Sequence, residues 1–283
     1  MLIITIVKKI YQRIIALVIR SIIGILKFIL PNKLKAYVFD EFIPVRKINT
    51  NKGSITLLCL GKLPLFRADT LFSKEPETIK WIDEFKTNKV FWDIGANIGI
   101  YSIYAGLNPN LNIYAFEPAS NNFNLINQNI KINKMDEKIS ALSVAFTDQT
   151  QISTFYMSDL ETGSAHHSFG EPVNQFGGKL NYQFKQSMIA YSIDDFLSTF
   201  DIPFPNYVKI DVDGIEHQII LGAQKTLFDK RLFSILIELD NGRINYSQTI
   251  TIIENAGFRM ISKHQICKDP VKGSELANYI FSK

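Results

Sequence analysis

Cysteine is nearly absent from this chain: two residues in 283, Cys59 and Cys267, far apart and in no metal-ligand spacing. That excludes a disulfide framework and a cysteine-built zinc site, and it fits a reducing compartment. Long apolar runs are missing from the N-terminal arm. Its charge-free stretches, 14–19 and 21–26 among them, are at most seven residues long, where a spanning helix needs about 20. No small-x-small cleavage site follows, and the basic residues sit inside the apolar stretch rather than ahead of it, which argues against a signal peptide. Acid is missing from residues 1–39. Seven basic side chains stand there (Lys8, Lys9, Arg13, Arg20, Lys27, Lys33, Lys35), and Asp40 is the first carboxylate. The other 24 Lys and Arg face all 27 Asp and Glu, a net of −3. The basic charge thus belongs to the arm, whereas a nucleic-acid partner calls for basic residues spread over the body. There is no internal repeat. A charged fraction of 20% with 12% aromatics excludes general disorder, and 46% hydrophobic residues suffice for a core.

What is present begins with the arm's phase. Lys9, Arg13, Arg20 and Lys27 are spaced by four, seven and seven residues. On a helix they fall within roughly 40° of one another. Gln12 flanks that stripe, Ile, Leu, Val and Phe fill the rest, and Pro31 ends the run. Such a helix suits the plane of an anionic membrane surface, with its basic side chains reaching the headgroups. Packing on its own domain or on a partner is the alternative.

Residues 32–88 carry little signal beyond a strand at 55–60 and a helix at 75–85 behind Ser73. From Lys89 short apolar runs alternate with helical stretches. Strands are expected at 90–94, 112–117, 139–145, 206–211, 233–239, 258–262 and 278–282. Helices are expected at 99–107, 119–132, 193–199 (capped by Ser192, with Asp194 and Asp195 in its first turn), 216–228 and 245–255. That alternation predicts βαβ units and a parallel sheet. A further strand at 151–157 precedes a long polar tract, 158–188, the length of a lid or substrate loop.

The strongest local signal is Val90-Phe-Trp-Asp93-Ile-Gly95-Ala-Asn97-Ile-Gly99: an apolar strand, an acid, then a glycine-bearing turn into a helix. At the end of the next strand Glu117 follows Asp93 by 24 residues, the place of a carboxylate that takes both hydroxyls of a ribose. Pro118 opens the helix after it. A nicotinamide dinucleotide would want G-x-G-x-x-G to cradle its pyrophosphate. Counting from Gly95, the third position is Asn97 and the sixth is Ile100. A carboxylate at Asp93 repels pyrophosphate but suits the ammonium and sulfonium charges of S-adenosylmethionine. An ordinary strand–turn–helix with Asp93 as a cap is the plain alternative.

These stretches, together with SVAFTD (143–148), YSIDDFL (191–197) and VKIDVDGIEHQIILGA (208–223), resemble the FkbM family of S-adenosylmethionine-dependent methyltransferases. The resemblance runs over about 88–240. Its most specific part is the pattern K-I-D-V-E-G-x-E, met here by Lys209, Asp211, Gly214 and Glu216, with Asp213 in place of the usual Glu. It implies a doubly wound, mostly parallel α/β sheet of the class I methyltransferase type over 89–283, behind a lead-in (32–88) and the amphipathic helix (1–31). It implies donor contacts at Asp93, Gly95, Asn97, Gly99 and Glu117, with the adenine edge near Asp148.

The end of strand 206–211 is then the expected catalytic edge. Asp211 could take an acceptor proton with Lys209 steadying it. Alternatively Asp211, Asp213 and Glu216 could hold a hard divalent cation. The plain alternative is a turn at Gly214 with Asp213 and Glu216 favouring a helix start. His217 could face the cleft. His166 and His167, adjacent and therefore unable to chelate one ion together on a strand, could serve as an acceptor-side base, and His264 reads as surface. The expected function is O-methylation of a hydroxyl on a sugar, glycan or related natural product, at the cytoplasmic face of a membrane. A nicotinamide-dependent oxidoreductase and a non-catalytic, membrane-tethered interaction protein are the competing readings.

Overall fold

The structure, a computed structural model, describes residues 2–35 and 43–283. The chain divides into two units, Met1–Pro44 and Val45–Lys283. In the first, helix α1 runs over Leu2–Ile29, as the stripe predicts. Arg13, Arg20 and Lys27 are exposed, and so are Ile14, Leu17, Val18, Ile25 and Phe28. The side chains at 2–9 and 12, Lys9 and Gln12 of the stripe among them, and residues 36–42 of the expected lead-in lie outside the described residues. Among the described residues no helix is long and apolar enough to cross a membrane.

The second unit opens with a hairpin of β1 (Val45–Thr50) and β2 (Gly53–Leu58), then α2 (Lys62–Asp69) and α3 (Pro76–Asp83). These are no mere lead-in. Ile55, Leu57, Cys59, Leu71, Ile79 and Trp81 share one buried cluster with Phe91, Ile103 and Leu125 of the body, so this segment belongs to the same core. Sequence reading missed β1 and α2 because neither alternates cleanly; β1 is largely exposed.

The body follows as β3 (Lys89–Ile94), α4 (Ile100–Ala105), β4 (Leu111–Phe116), α5 (Ser120–Ile132), β5 (Ile139–Leu142), β6 (Ala145–Phe146), β7 (Gln151–Met157), β8 (Ser168–Phe169), β9 (Phe184–Tyr191) and α6 (Ile193–Thr199). It continues through β10 (Tyr207–Ile210), α7 (Glu216–Leu221), α8 (Gln224–Phe228), β11 (Ser234–Asp240), α9 (Tyr246–Asn255), β12 (Arg259–Lys268) and β13 (Glu275–Ser282). Seven strands form one sheet in the order β5-β4-β3-β10-β11-β13-β12. The first five are parallel, and β13 runs antiparallel between β11 and β12. Strands β3, β10 and β11 are buried on both faces, which is why their sequences read as nearly unbroken apolar runs. One face carries the cluster of Phe91, Ile103 and Ile126; the other carries Trp92, Phe116, Phe146 and Phe196, whose rings lie 4.8–5.9 Å apart.

Two expectations change. The tract 158–188 is not one loop: β8 and most of β9 lie in it and, with β6 and β7, make a four-stranded sheet. The helix expected over 216–228 is two, α7 and α8. It breaks at Gly222, where a Cβ would stand 2.2 Å from the carbonyl oxygen of Thr147.

Candidate active site

The turn after β3 does what its glycines allow. Gly95 has φ 82°, and a Cβ there would sit 1.8 Å from the backbone oxygen of Asp211. Only glycine lets the turn pack against the end of β10. Asn97 also takes a left-handed backbone, φ 52°. Its N–H donates to Glu117 Oε2 at 2.8 Å, and its amide donates to the carbonyl of Ser164 at 2.7 Å. The next N–H, of Ile98, is taken by the Asn97 side chain at 3.0 Å. The amides that a pyrophosphate would need are thus already engaged.

These residues open on a cavity of about 490 Å³ at the carboxyl ends of the strands, where doubly wound sheets place their ligands. It is lined by Gly95, Asn97, Phe116, Glu117, Val144, Ala145 and Phe146, and also by Arg67, Lys74, Asp211, Asp213, Glu238 and Cys267. Glu117 is 4% exposed, and burial pushes its carboxyl up to about 7 against the lowering effect of the N–H groups of Ala119 and Asn97.

At the end of β10, Lys209 is fully buried and its ammonium lies 2.6 Å from Asp211 Oδ2. Burial works against the charge on Lys209, but Asp211, Glu75 and Asp93 outweigh it and hold the ammonium above its usual range. Burial likewise raises Asp211, yet Lys209 and Lys74 overcome it and keep the carboxylate below its usual range. Asp211 is therefore an ionised carboxylate facing the cavity.

The remaining expected residues separate. Asp93 does not reach the cavity. It points beneath α4, fully buried, and accepts the Ser102 hydroxyl at 2.6 Å. Gly99 does not line the cavity either; a Cβ there would stand 2.4 Å from Ile126, so it lets α4 pack on α5. Asp148 is exposed, and its Oδ1 accepts the Thr147 hydroxyl. Val144, Ala145 and Phe146, just before it, face the cavity instead. Glu216 also stays out. Its Oε1 accepts the N–H groups of Gly214 and Val212 at 3.0 and 3.3 Å, which folds the loop back on α7. His217 Nδ1 lies 2.8 Å from the Thr249 hydroxyl, facing α9 rather than the cleft.

Asp213 does line the cavity. It accepts the backbone N–H of His166 at 2.6 Å and sits 3.3 Å from His166 Nδ1. Both residues have positive φ, 65° and 62°. His167 is buried; Ser158 N–H donates to its Nδ1, which leaves Nε2 to donate to Ser164. The surface reading of His264 and the Ser192 cap, which accepts Asp195 N–H at 3.0 Å, agree with the structure. Among the described residues no three His, Cys, Asp or Glu side chains are grouped as metal ligands. The three carboxylates offered to a cation are spent on Lys209, His166 and backbone amides.

Sequence reading missed Arg67, Lys74 and Glu238. Two stand in the segment without periodic signal, and the third hides in the apolar run Ser234-Ile-Leu-Ile-Glu238.

A five-strand parallel core with a reversed strand inserted before its last edge, and a ligand cavity at its switch point, defines the class I, Rossmann-like methyltransferase fold. Residues 93–260 match the methyltransferase FkbM domain. The chain belongs to the FkbM family of S-adenosylmethionine-dependent methyltransferases. It is 22% identical over 161 residues to the hexuronic acid methyltransferase AglP of Haloferax volcanii, covering 57% of this chain and 60% of that protein. It is 21% identical over 215 residues to the 31-O-demethyl-FK506 methyltransferase FkbM of Streptomyces tacrolimicus, covering 68% and 80%. A crystal structure of methyltransferase FkbM from Methylobacillus flagellatus aligns with a TM-score of 0.45 at 12% identity, over 69% of this chain and 44% of that one.

Proposed function

We propose that this protein moves the methyl group of S-adenosylmethionine to a hydroxyl of a sugar, glycan or related natural product, presented at the cytoplasmic face of a membrane. The observation that carries the reading is an ionised Asp211 facing the same cavity as Glu117 and the Gly95–Asn97 turn. The residues present suit the donor. Glu117 offers a carboxylate to a diol, and Phe116, Val144, Ala145 and Phe146 offer an apolar slot to a purine. When bound, S-adenosylmethionine supplies a methyl group on a sulfonium sulfur that leaves as a neutral thioether.

The chain's own part is to hold the acceptor oxygen in line and to receive its proton. Asp211 is a weak base, but a weak base suffices. As the oxygen gains its methyl group its proton becomes strongly acidic, so the carboxylate takes it late in the transfer. Lys209 keeps Asp211 ionised and fixed at 2.6 Å. Asp93 supports the turn from beneath as a positioning residue, through Ser102. Relatives named for a hexuronic acid and for 31-O-demethyl-FK506 are consistent with an oxygen acceptor. The exposed apolar and basic surface of α1 supports attachment to an anionic membrane.

Calorimetric titration of S-adenosylmethionine and of its demethylated product into the full chain tests the donor site. Binding near micromolar, about −8 kcal/mol, should be lost in Glu117→Ala and kept in Asp211→Asn, which should abolish turnover. Folded protein that binds neither compound sinks the proposal.

A further inference from the structure

Glu238 has no role in the scheme so far, yet its setting calls for a ligand. It is 94% buried and lines the cavity, and among the described residues no group donates a hydrogen bond to its carboxyl. Its oxygens are not among the buried unpaired polar atoms; they open on the cavity and are free to meet what the cavity receives. Its position is set by the sheet. Strands β10 and β11 pair in parallel with Ile210 opposite Ile237; one step on, Asp211 stands beside Glu238. Alternation puts both on one face, and strands so paired are about 4.8 Å apart.

The two carboxyls differ in setting. Asp211 has Lys209 at 2.6 Å. Among the described residues Glu238 has no ion-pair partner. Burial first, and then the charges of Asp211, Asp213, Glu216 and Glu75, push it well above the usual carboxyl range, as expected of two acids sharing one site. A neutral carboxyl both donates and accepts, which is the complement of a hydroxyl group.

We infer that Glu238 is a specificity-determining acceptor contact: it binds the hydroxyl next to the one that Asp211 receives, so that the site selects vicinal diols of a sugar ring over isolated hydroxyls. This rests on the hydroxyl-transfer reading above. Two carboxyls side by side on adjacent strands match two oxygens on adjacent ring carbons. An acceptor with a single hydroxyl leaves the buried Glu238 unpaired, and that penalty produces discrimination.

The test uses the full chain with S-adenosylmethionine, a panel of methyl glycopyranosides with vicinal hydroxyls, and tetrahydropyranols carrying one hydroxyl. The expected result is at least a tenfold preference in kcat/KM for the diols. Glu238→Leu should raise the diol KM at least tenfold, to the level of the single-hydroxyl compounds, with the melting temperature and the affinity for the demethylated donor retained. Glu238→Gln, neutral and able to donate and accept, should restore most of the loss. Equal turnover of both acceptor types, an unchanged KM in Glu238→Leu, or a Gln variant as impaired as Leu overturns the inference and leaves hydroxyl methylation standing. Transfer to no hydroxyl by protein that binds the donor overturns the underlying reading and this one with it. Should Glu238→Leu not fold, Glu238→Asp, which withdraws the carboxyl by one methylene, must show the same KM increase.

Discussion

Glu117 sits where a strand's last residue meets the cavity, and its protonation should govern donor affinity. Burial raises its carboxyl to about 7, even though Asn97 and Ala119 N–H groups and the charge of Arg67 pull the other way. The ionised form accepts ribose hydroxyls; the protonated form gives up part of that capacity. Affinity for the demethylated donor should therefore strengthen as pH rises from about 6 to 8 and level off above. Glu117→Gln should bind at least tenfold more weakly and show a flat profile. Calorimetry at half-unit pH steps decides it; a wild-type profile as flat as the variant's would remove Glu117 from the donor site. The same scale explains Asp213. One methylene shorter than the residue usual in the family pattern, it accepts the His166 N–H while lining the cavity.

The turn between β3 and α4 works as a unit, and its glycines have different jobs. At Gly95 the obstacle is backbone, the Asp211 oxygen at 1.8 Å, which cannot yield without moving β10. At Gly99 it is the side chain of Ile126 at 2.4 Å. Overpacking of this kind costs about 1–3 kcal/mol, and a left-handed backbone adds about 1. Gly95→Ala should therefore lose donor binding and at least 2 kcal/mol of stability, about the sum of those two costs. Gly99→Ala should lose less, and adding Ile126→Val should recover part of it. Urea denaturation of the three variants checks the order. A Gly95→Ala protein as stable as wild type would mean that the turn can move. The tract over the cavity is likewise held by named bonds: Arg67 to Gly163 O, Asp213 to His166, and Arg243 to both Asn174 O and Gly214 O.

On the scale of the whole molecule, buried acids set the response to pH. Burial raises Glu117 and Glu216 to about 7 from 4.5. A carboxyl raised on folding stabilises the protein fully below about pH 4.5, and that contribution is lost as pH rises through 7. For Glu216 this is worth about 3 kcal/mol. Glu216→Gln keeps an oxygen for the N–H groups of Gly214 and Val212, and should flatten the fall in melting temperature between pH 5 and 8. An unchanged pH profile would show that Glu216 is ionised throughout. The N-terminal arm makes a separate prediction. Deleting residues 1–30 should abolish co-sedimentation with vesicles rich in anionic lipid and leave donor affinity unchanged; undiminished sedimentation would assign the helix to protein contacts.

Much of this was legible in the chain's order of residues. Strands β3, β10 and β11 are buried on both faces, so their apolar runs announced themselves, and glycine at 95 and 99 with Glu117 marked the donor half. Local order also determined α1, whose stripe needs no partner to be seen. Tertiary structure alone decided which groups meet. Asp93 and Asp211 both read as acids at strand ends, yet Asp93 pairs with Lys209 and lies under a helix, whereas Asp211 stands two residues further along and faces the cavity, because register is a property of pairing, not of spacing. For the same reason Glu216 and His217 turned away with α7, and β1, α2 and β9, whose patterns are weak, acquired their form from the core they cover. Glu238, silent in an apolar run, became a neighbour of Asp211 only when β11 docked beside β10 in register.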